Sequence, residues 1–265
     1  SLEQWSHERR DEGEHSLYGA MLHRIRHAGG TLKGILWYQG ESDANAGLAD
    51  TYEERLARWI AAARSDTGRP NLPVIVVQIG RHCADGPPEF HDSWNNVQYA
   101  LARIPARVPN TAVTTAVDLG LNDPIHISAP GHARLGRRLA RLALRLTENR
   151  TDIPPNPRPT RLERLPDEAR GFGRLRLHTQ NVAGAWFPAH DIAGFSVLRA
   201  DGSPHPRKRV FAANRDPERP NAILVGTNAP LENGEQLAYG YGRNTRCNAA
   251  DEKDMPLPAF RITVQ

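Results

Sequence analysis

The chain holds 265 residues, 39% hydrophobic and 24% charged, ordinary proportions for a globular protein of one large domain or two smaller ones. Its formal charge is +4, yet lysine occurs only at Lys33, Lys208 and Lys253, and arginine is scattered beside Asp and Glu rather than gathered into a basic tract. That distribution argues against a nucleic-acid partner. No apolar run is long enough to cross a bilayer, so no membrane span is expected. Cys83 and Cys247 have no companion at metal-ligand or redox spacing, which predicts two free thiols and neither a zinc site nor a disulfide framework.

Leu17, Tyr18, Met21, Leu22 and Ile25 recur at helical spacing until Gly29-Gly30 stops them. The run from Gly34 to Tyr38 then reads as a short buried parallel strand. A helix is expected from about Gly47 to Ser65, with Tyr52, Leu56, Trp59, Ile60 and Ala63 on its apolar face. Pro73 to Ile79 is rich in Val and Ile and reads as the next strand. A helix from about Glu89 to Arg103, a strand at Ala112 to Leu119, and a helix from Pro130 to Thr147 complete this part. Strands alternating with helices of this length predict an α/β fold whose parallel sheet is covered on both faces. In such folds the reactive groups gather after the carboxyl ends of strands. The polar clusters Gln39 to Asp43, Arg81 to Asp85 and Asp118 to His126 fall at those places.

The composition changes at Asp152, where Pro154, Pro155, Pro157 and Pro159 predict a stiff extended linker or a strap along the surface. Short alternating segments follow at Leu175 to His178, Phe195 to Leu198, Ala222 to Val225, Gln236 to Gly240 and Phe260 to Val264. Asp201-Gly202 is a hairpin signal. The expected organisation is an α/β domain over residues 1–150, then a linker and a small antiparallel β-domain over 151–265.

Asp123-Pro124-Ile125-His126 is the strongest chemical signal. A carboxylate three residues before a histidine can accept a hydrogen bond from the ring, fix its tautomer and leave the other nitrogen as a base. The same spacing also fits an ordinary surface turn. Trp37 to Asp43 (WYQGESD) is the second signal. Gly40 lets backbone approach a substrate, Gln39 can donate an amide N–H to a developing oxyanion, and Glu41 suits an anchor that accepts hydrogen bonds. Equally, these residues fit a polar loop with Asp43 as a helix cap. Ser42 lacks the following glycine of a nucleophile elbow. His82, His91 and His132 have no metal-type spacing and read as solvated or structural.

Taken in order, these motifs resemble the sialate O-acetylesterase family of the SGNH-hydrolase superfamily, with its related bacterial carbohydrate acetylesterases. The resemblance rests on Trp37 to Asp43, Trp94 with Val97-Gln98, Asp118-Leu119-Gly120 leading into Asp123 to His126, and Gly136 to Ala140. It continues in Ile192 to Phe195, Tyr239 to Gly242, Cys247-Asn248 and Pro256 to Phe260. It implies a three-layer, flavodoxin-like parallel sheet with a C-terminal β-domain. It also implies hydrolysis of acetyl esters on a sugar or glycan through serine attack and an acyl-enzyme, without metal or organic cofactor. His126 would be the base, Asp123 its orienting acid, Gln39 and Gly40 part of the oxyanion loop, and Glu41 its support. Secretion or periplasmic export is the family-level expectation for location.

Two departures accompany the resemblance. The family's nucleophile sits in a Gly-Gln-Ser-Asn-type block, and no such block occurs among these residues. The expectation is an α/β domain incomplete at its N-terminus and a chain inactive by itself. Asn96 stands where an arginine-containing pattern is expected. The alternative function is a non-catalytic carbohydrate-binding or scaffolding protein built on the same fold.

Overall fold

Hydrophobic periodicity sets the first elements. The computed structural model describes residues 1–84, 89–168 and 171–264; Asp85, the end of the second polar cluster, lies outside the described residues. Helix α1 spans Leu17–His27 and is capped by Ser16, whose Oγ accepts the Gly19 N–H at 3.0 Å. Strand β1 is Ile35–Trp37, α2 is Tyr52–Asp66, β2 is Val74–Gln78, α3 is Glu89–Arg107, β3 is Thr111–Thr115 and α4 is Ala129–Thr147. The chain thus has mixed α/β structure, with a parallel three-stranded sheet in the order β1-β2-β3. No described helix is long and apolar enough to cross a membrane.

By its internal contacts the chain divides into two units, residues 1–79 with 86–114 and 139–153, and residues 80–85 with 115–138 and 154–265. In the first unit every residue of β2 is buried, the apolar Val74 to Val77 and also Gln78, whose amide donates to the Gln98 carbonyl. The expected face of α2, from Tyr52 to Ala63, is buried too. Trp37 and Trp59 pack with ring centroids 4.3 Å apart, and Trp5 meets Trp37 edge-on at 5.6 Å. Strand β1 ends the sheet order and pairs only with β2 among the described residues, and its Leu36 is 60% exposed. The α2 helix begins five residues later than its periodicity suggests, because turns occupy the residues after Gly47.

In the second unit, β4 (Arg158–Glu168), β5 (Phe172–Gln180), β9 (Ala222–Thr227) and β8 (Val210–Arg215) form one antiparallel sheet in the order β4-β5-β9-β8. A second sheet has the order β12-β10-β7, from Phe260–Thr263, Gln236–Tyr239 and Phe195–Leu198. The short β6 (Trp186–Phe187) pairs with β11 (Ala250–Asp251). Trp186, Leu177, Ile223, Leu237 and Leu257 fill this core. The expected hairpin forms, with Gly202 at φ +86° and its N–H bonded to the Arg199 carbonyl.

One expectation needs correction here. The proline-rich stretch is not linker throughout, since β4 begins at Arg158 and includes Pro159 and Pro166. Its pairing with β5 shifts register between Pro159 and Arg161 and again between Leu165 and Glu168. Proline donates no ladder hydrogen bond, so an edge strand with bulges is where it fits.

Candidate active site

Asp123 and His126 lie at the tip of a small hairpin in the second unit. The hairpin closes through a Leu121–Ile127 bridge, with the Asn122 N–H on the His126 carbonyl at 2.9 Å and the Ser128 N–H on the Gly120 carbonyl at 2.8 Å. Ile127 is buried and roots the turn, while Asp123 and His126 are exposed. Asp123 uses its two carboxylate oxygens differently. Oδ1 accepts the backbone N–H of Ile125 at 2.9 Å and of His126 at 2.7 Å, which fixes the turn. Oδ2 lies 2.7 Å from Nδ1 of the His126 ring, which fixes the imidazole. Proline at position 124 contributes no competing N–H.

The backbone bonds from His126 and Ile125, followed by the ring contact, hold the Asp123 carboxyl down at about 2. The carboxylate is therefore charged at neutral pH and suited to a proton on Nδ1. That tautomer leaves Nε2 with its lone pair, on a ring whose side chain is 77% exposed.

Two further contacts set the position of this hairpin, and sequence reading missed both. The Cys83 N–H donates to the Pro124 carbonyl at 2.7 Å, tying the loop after β2 to the turn itself. Below the hairpin, Arg138 of α4 grips Asp118 with Nη1–Oδ1 at 2.8 Å and Nη2–Oδ2 at 2.6 Å. Both side chains are almost fully buried, at 1% and 2% exposure. Asp254 joins them, accepting from Arg138 and Arg134, and these guanidinium groups hold its carboxyl below the usual range against the opposing effect of burial. The Asp118-Leu119-Gly120 motif carried a signal for one partner. The Gly136 to Ala140 motif contains the other, Arg138, without indicating their pairing, and nothing local marked Asp254.

His82, beside this loop, shares its N–H with the Arg243 carbonyl at 2.7 Å. Burial, then the Arg243 charge, lowers its pKa, as suits a neutral structural histidine. His132 is exposed on α4. Among the described residues no group of three or more His, Cys, Asp or Glu side chains is placed to hold a metal ion.

Gln39, Gly40 and Glu41 belong to the first unit, where Asp43 organises them. Asp43 is fully buried and caps no helix. Its Oδ2 accepts the Gln39 Nε2–H at 2.8 Å and the Leu2 N–H at 2.9 Å, and its Oδ1 lies 2.9 Å from Arg55 Nη1. Tyr52 donates its hydroxyl proton to the Gln39 carbonyl at 2.7 Å. Glu41 Oε2 accepts the Gly40 N–H at 2.9 Å. Glycine at position 40 has a packing cause: a Cβ there would stand 2.7 Å from Val97 Cγ1 and 3.1 Å from Ile79 Cγ2.

Around the same loop, α3 is stitched to the end of β2. Gln78 Nε2 donates to the Gln98 carbonyl and Gln98 Nε2 to the Ile79 carbonyl, each at 2.9 Å, and Asn95 Nδ2 donates to Gln98 Oε1 at 2.8 Å. Asn96, the departure from the expected pattern, donates its side-chain N–H to Asp50 at 3.0 Å.

Residues 1–145 match the family described as carbohydrate esterase, sialic acid-specific acetylesterase. Over 139 residues the chain is 33% identical to a probable carbohydrate esterase of Arabidopsis thaliana, At4g34215, covering 51% of this chain and 49% of that protein. The crystal structure of XAC1771, a carbohydrate acetylesterase from Xanthomonas citri, superposes with a TM-score of 0.69 at 23% identity, covering 89% of this chain and 51% of that one. The second likeness is one of fold. The chain spans about half the length of both proteins.

Proposed function

The chain belongs to the carbohydrate esterase, sialic acid-specific acetylesterase family, and from that premise we propose that it is the acid–base part of a carbohydrate O-acetylesterase acting by a Ser-His-Asp mechanism. The observation that carries this reading is the 2.7 Å contact between Asp123 Oδ2 and His126 Nδ1 at the tip of a hairpin held on both sides. A carboxylate so placed orients the imidazole and stabilises the imidazolium that forms when Nε2 takes a proton.

In the proposed reaction a serine hydroxyl attacks the acetyl carbonyl while His126 Nε2 accepts its proton. The sugar oxygen then leaves with that proton, and water, deprotonated by the same nitrogen, releases acetate from the acyl-enzyme. Gln39 and Gly40 are assigned to the oxyanion loop and Glu41 to its support. One N–H of the Gln39 amide is engaged by Asp43, and an amide nitrogen carries a second. The accompanying domain reading is a three-layer SGNH-type α/β domain over residues 1–150 and a linker with a β-rich domain over 151–265.

No Gly-Gln-Ser-Asn block occurs among the 265 residues, so the chain by itself is assigned no turnover. Loss of the serine from a comparable triad costs on the order of 10⁶ in kcat. The test is acetate release from O-acetylated sugars. The chain alone is expected to stay at background, and a polypeptide carrying a Gly-Gln-Ser-Asn block, joined to it or added to it, to restore release. His126→Ala should then abolish it. Clear turnover by the unaided chain would overturn the assigned inactivity, and restored turnover that survives His126→Ala would overturn the role of His126.

A further inference from the structure

We infer that Arg243 is a positioning residue for the Asp123–His126 turn and acts on it through residues 82–84. This role rests on the reading of His126 as the base, and all of its contacts lie within the second unit.

The middle residue of that segment, Cys83, donates its N–H at 2.7 Å to the carbonyl of Pro124, inside the turn. Its two neighbours are held by Arg243. The His82 N–H donates to the Arg243 carbonyl at 2.7 Å, and Arg243 Nη2 donates to the Ala84 carbonyl at 2.8 Å. Arg243 Nη1 also lies 3.4 Å from His82 Nδ1. Asn244 adds to the grip, with its Oδ1 2.9 Å from Cys83 Sγ and 3.4 Å from Arg81 Nη1. Gly242, at φ +88°, makes the bend that delivers Arg243, a conformation that suits glycine. One arginine thus clamps both ends of three consecutive residues, and the middle one passes that order to the turn.

The chemistry of Arg243 suits this task. The residue is 6% exposed, and a buried guanidinium keeps its place only by giving its N–H groups to acceptors. Its planar fork has fixed donor directions, so a bond to Ala84 together with a contact to His82 sets the orientation of the segment as well as its distance. Asp123 and His126 are themselves exposed and gain little order from packing. The Arg138–Asp118 pair holds the start of the hairpin, and the Cys83 bond holds its tip. A base must stand within hydrogen-bond reach of the hydroxyl it deprotonates, and a displacement of about 1 Å can cost about 10²-fold in rate. Arg243 can therefore govern the reactive position of His126 without touching a substrate.

The test is NMR of the 265-residue chain and of its Arg243→Ala and Arg243→Lys variants, read at the Cys83 amide proton and at the ring nitrogens of His126. In folded Arg243→Ala the Cys83 amide proton should move upfield as its bond to Pro124 lengthens. The His126 ring should shift from the Nδ1–H form, which the Asp123 contact selects, toward the Nε2–H form. Arg243→Lys keeps the charge and loses the fork, so its signals should fall between those of the parent and Arg243→Ala. Should Arg243→Ala not fold, Arg243→Lys carries the test through the same two signals. Leu237→Ala, a change in the buried core of the same unit, should lower the melting midpoint and leave both signals where they are. Unchanged Cys83 and His126 signals in a folded Arg243 variant, or the same shifts in Leu237→Ala, overturn the proposal. The esterase reading fails separately, through acetate release that survives His126→Ala.

Discussion

Arg138 and Asp118 form a two-pronged ion pair in which both side chains are almost wholly out of water. The pair joins the start of the Asp123–His126 hairpin to α4, and Asp254 closes it from a distant part of the chain. Removing one partner leaves the other buried charge with only its longer ionic contact, Arg134 at 3.2 Å for Asp118 or Asp254 at 3.1 Å for Arg138, so the loss is expected to reach at most the about 3–5 kcal/mol of comparable pairs. Arg138→Ala and Asp118→Asn are each expected to lower the urea midpoint accordingly. Midpoints within experimental error of the parent chain in both variants would show that the pair does not hold this region.

Asp123 has its own pH signature. Its carboxyl is held at about 2 against an ordinary value of 3.8, so the charged form is favoured by folding. The stabilisation is complete above the ordinary value and disappears as pH falls from there toward about 2. Carbon-13 NMR of aspartate-labelled protein should show one carboxyl titrating near 2 that vanishes in Asp123→Asn. A midpoint at the ordinary carboxylate value would contradict the three contacts that hold it.

The two thiols should separate cleanly. Burial pushes Cys247 up to about 12, whereas Cys83 is exposed with its Sγ 2.9 Å from Asn244 Oδ1. Thiolate is the reactive form, so native protein is expected to take one equivalent of a thiol reagent, at Cys83, and a second only after denaturation. Mass mapping of the labelled peptides checks the order. Rapid native labelling of Cys247 would reject it.

Gly40 offers a packing test. Gly40→Ala places a methyl group against Val97 and Ile79, an overpacking that costs about 1–3 kcal/mol. The melting temperature should fall, and the paired change Gly40→Ala with Val97→Ala should recover part of the loss. No recovery would place the cost in the backbone instead.

How far the sequence could be read depended on how local each interaction is. The first four residues of β2, Val74 to Val77, are apolar without a break and announce a buried strand. The face of α2 shows in its spacing. Asp123 and His126 sit three residues apart, so their contact was legible as a possibility. Strand β4 was hidden, because prolines and alternating charges mimic a linker and its role comes from pairing with β5. Arg138 reaches partners 20 and 116 residues away, a distance no spacing rule covers. The Cys83–Pro124 bond joins backbone to backbone and leaves no residue-type trace. Gly40 was read as room for a substrate, and the structure gives it a nearer reason in Val97.

Strand β1 pairs with β2 and ends the sheet order, with Leu36 turned out to water. Among the described residues no other strand pairs with its outer edge, and such an edge is a template for another extended backbone, including that of an identical molecule. Those three residues predict how this chain behaves in solution. Above some threshold concentration, strand-to-strand sticking between molecules competes with monodispersity, and sedimentation of the chain would drift upward with loading. A charged side chain in place of Leu36 is the smallest change that raises the threshold, since it adds repulsion at the edge without touching the Trp37–Trp59 contact inside.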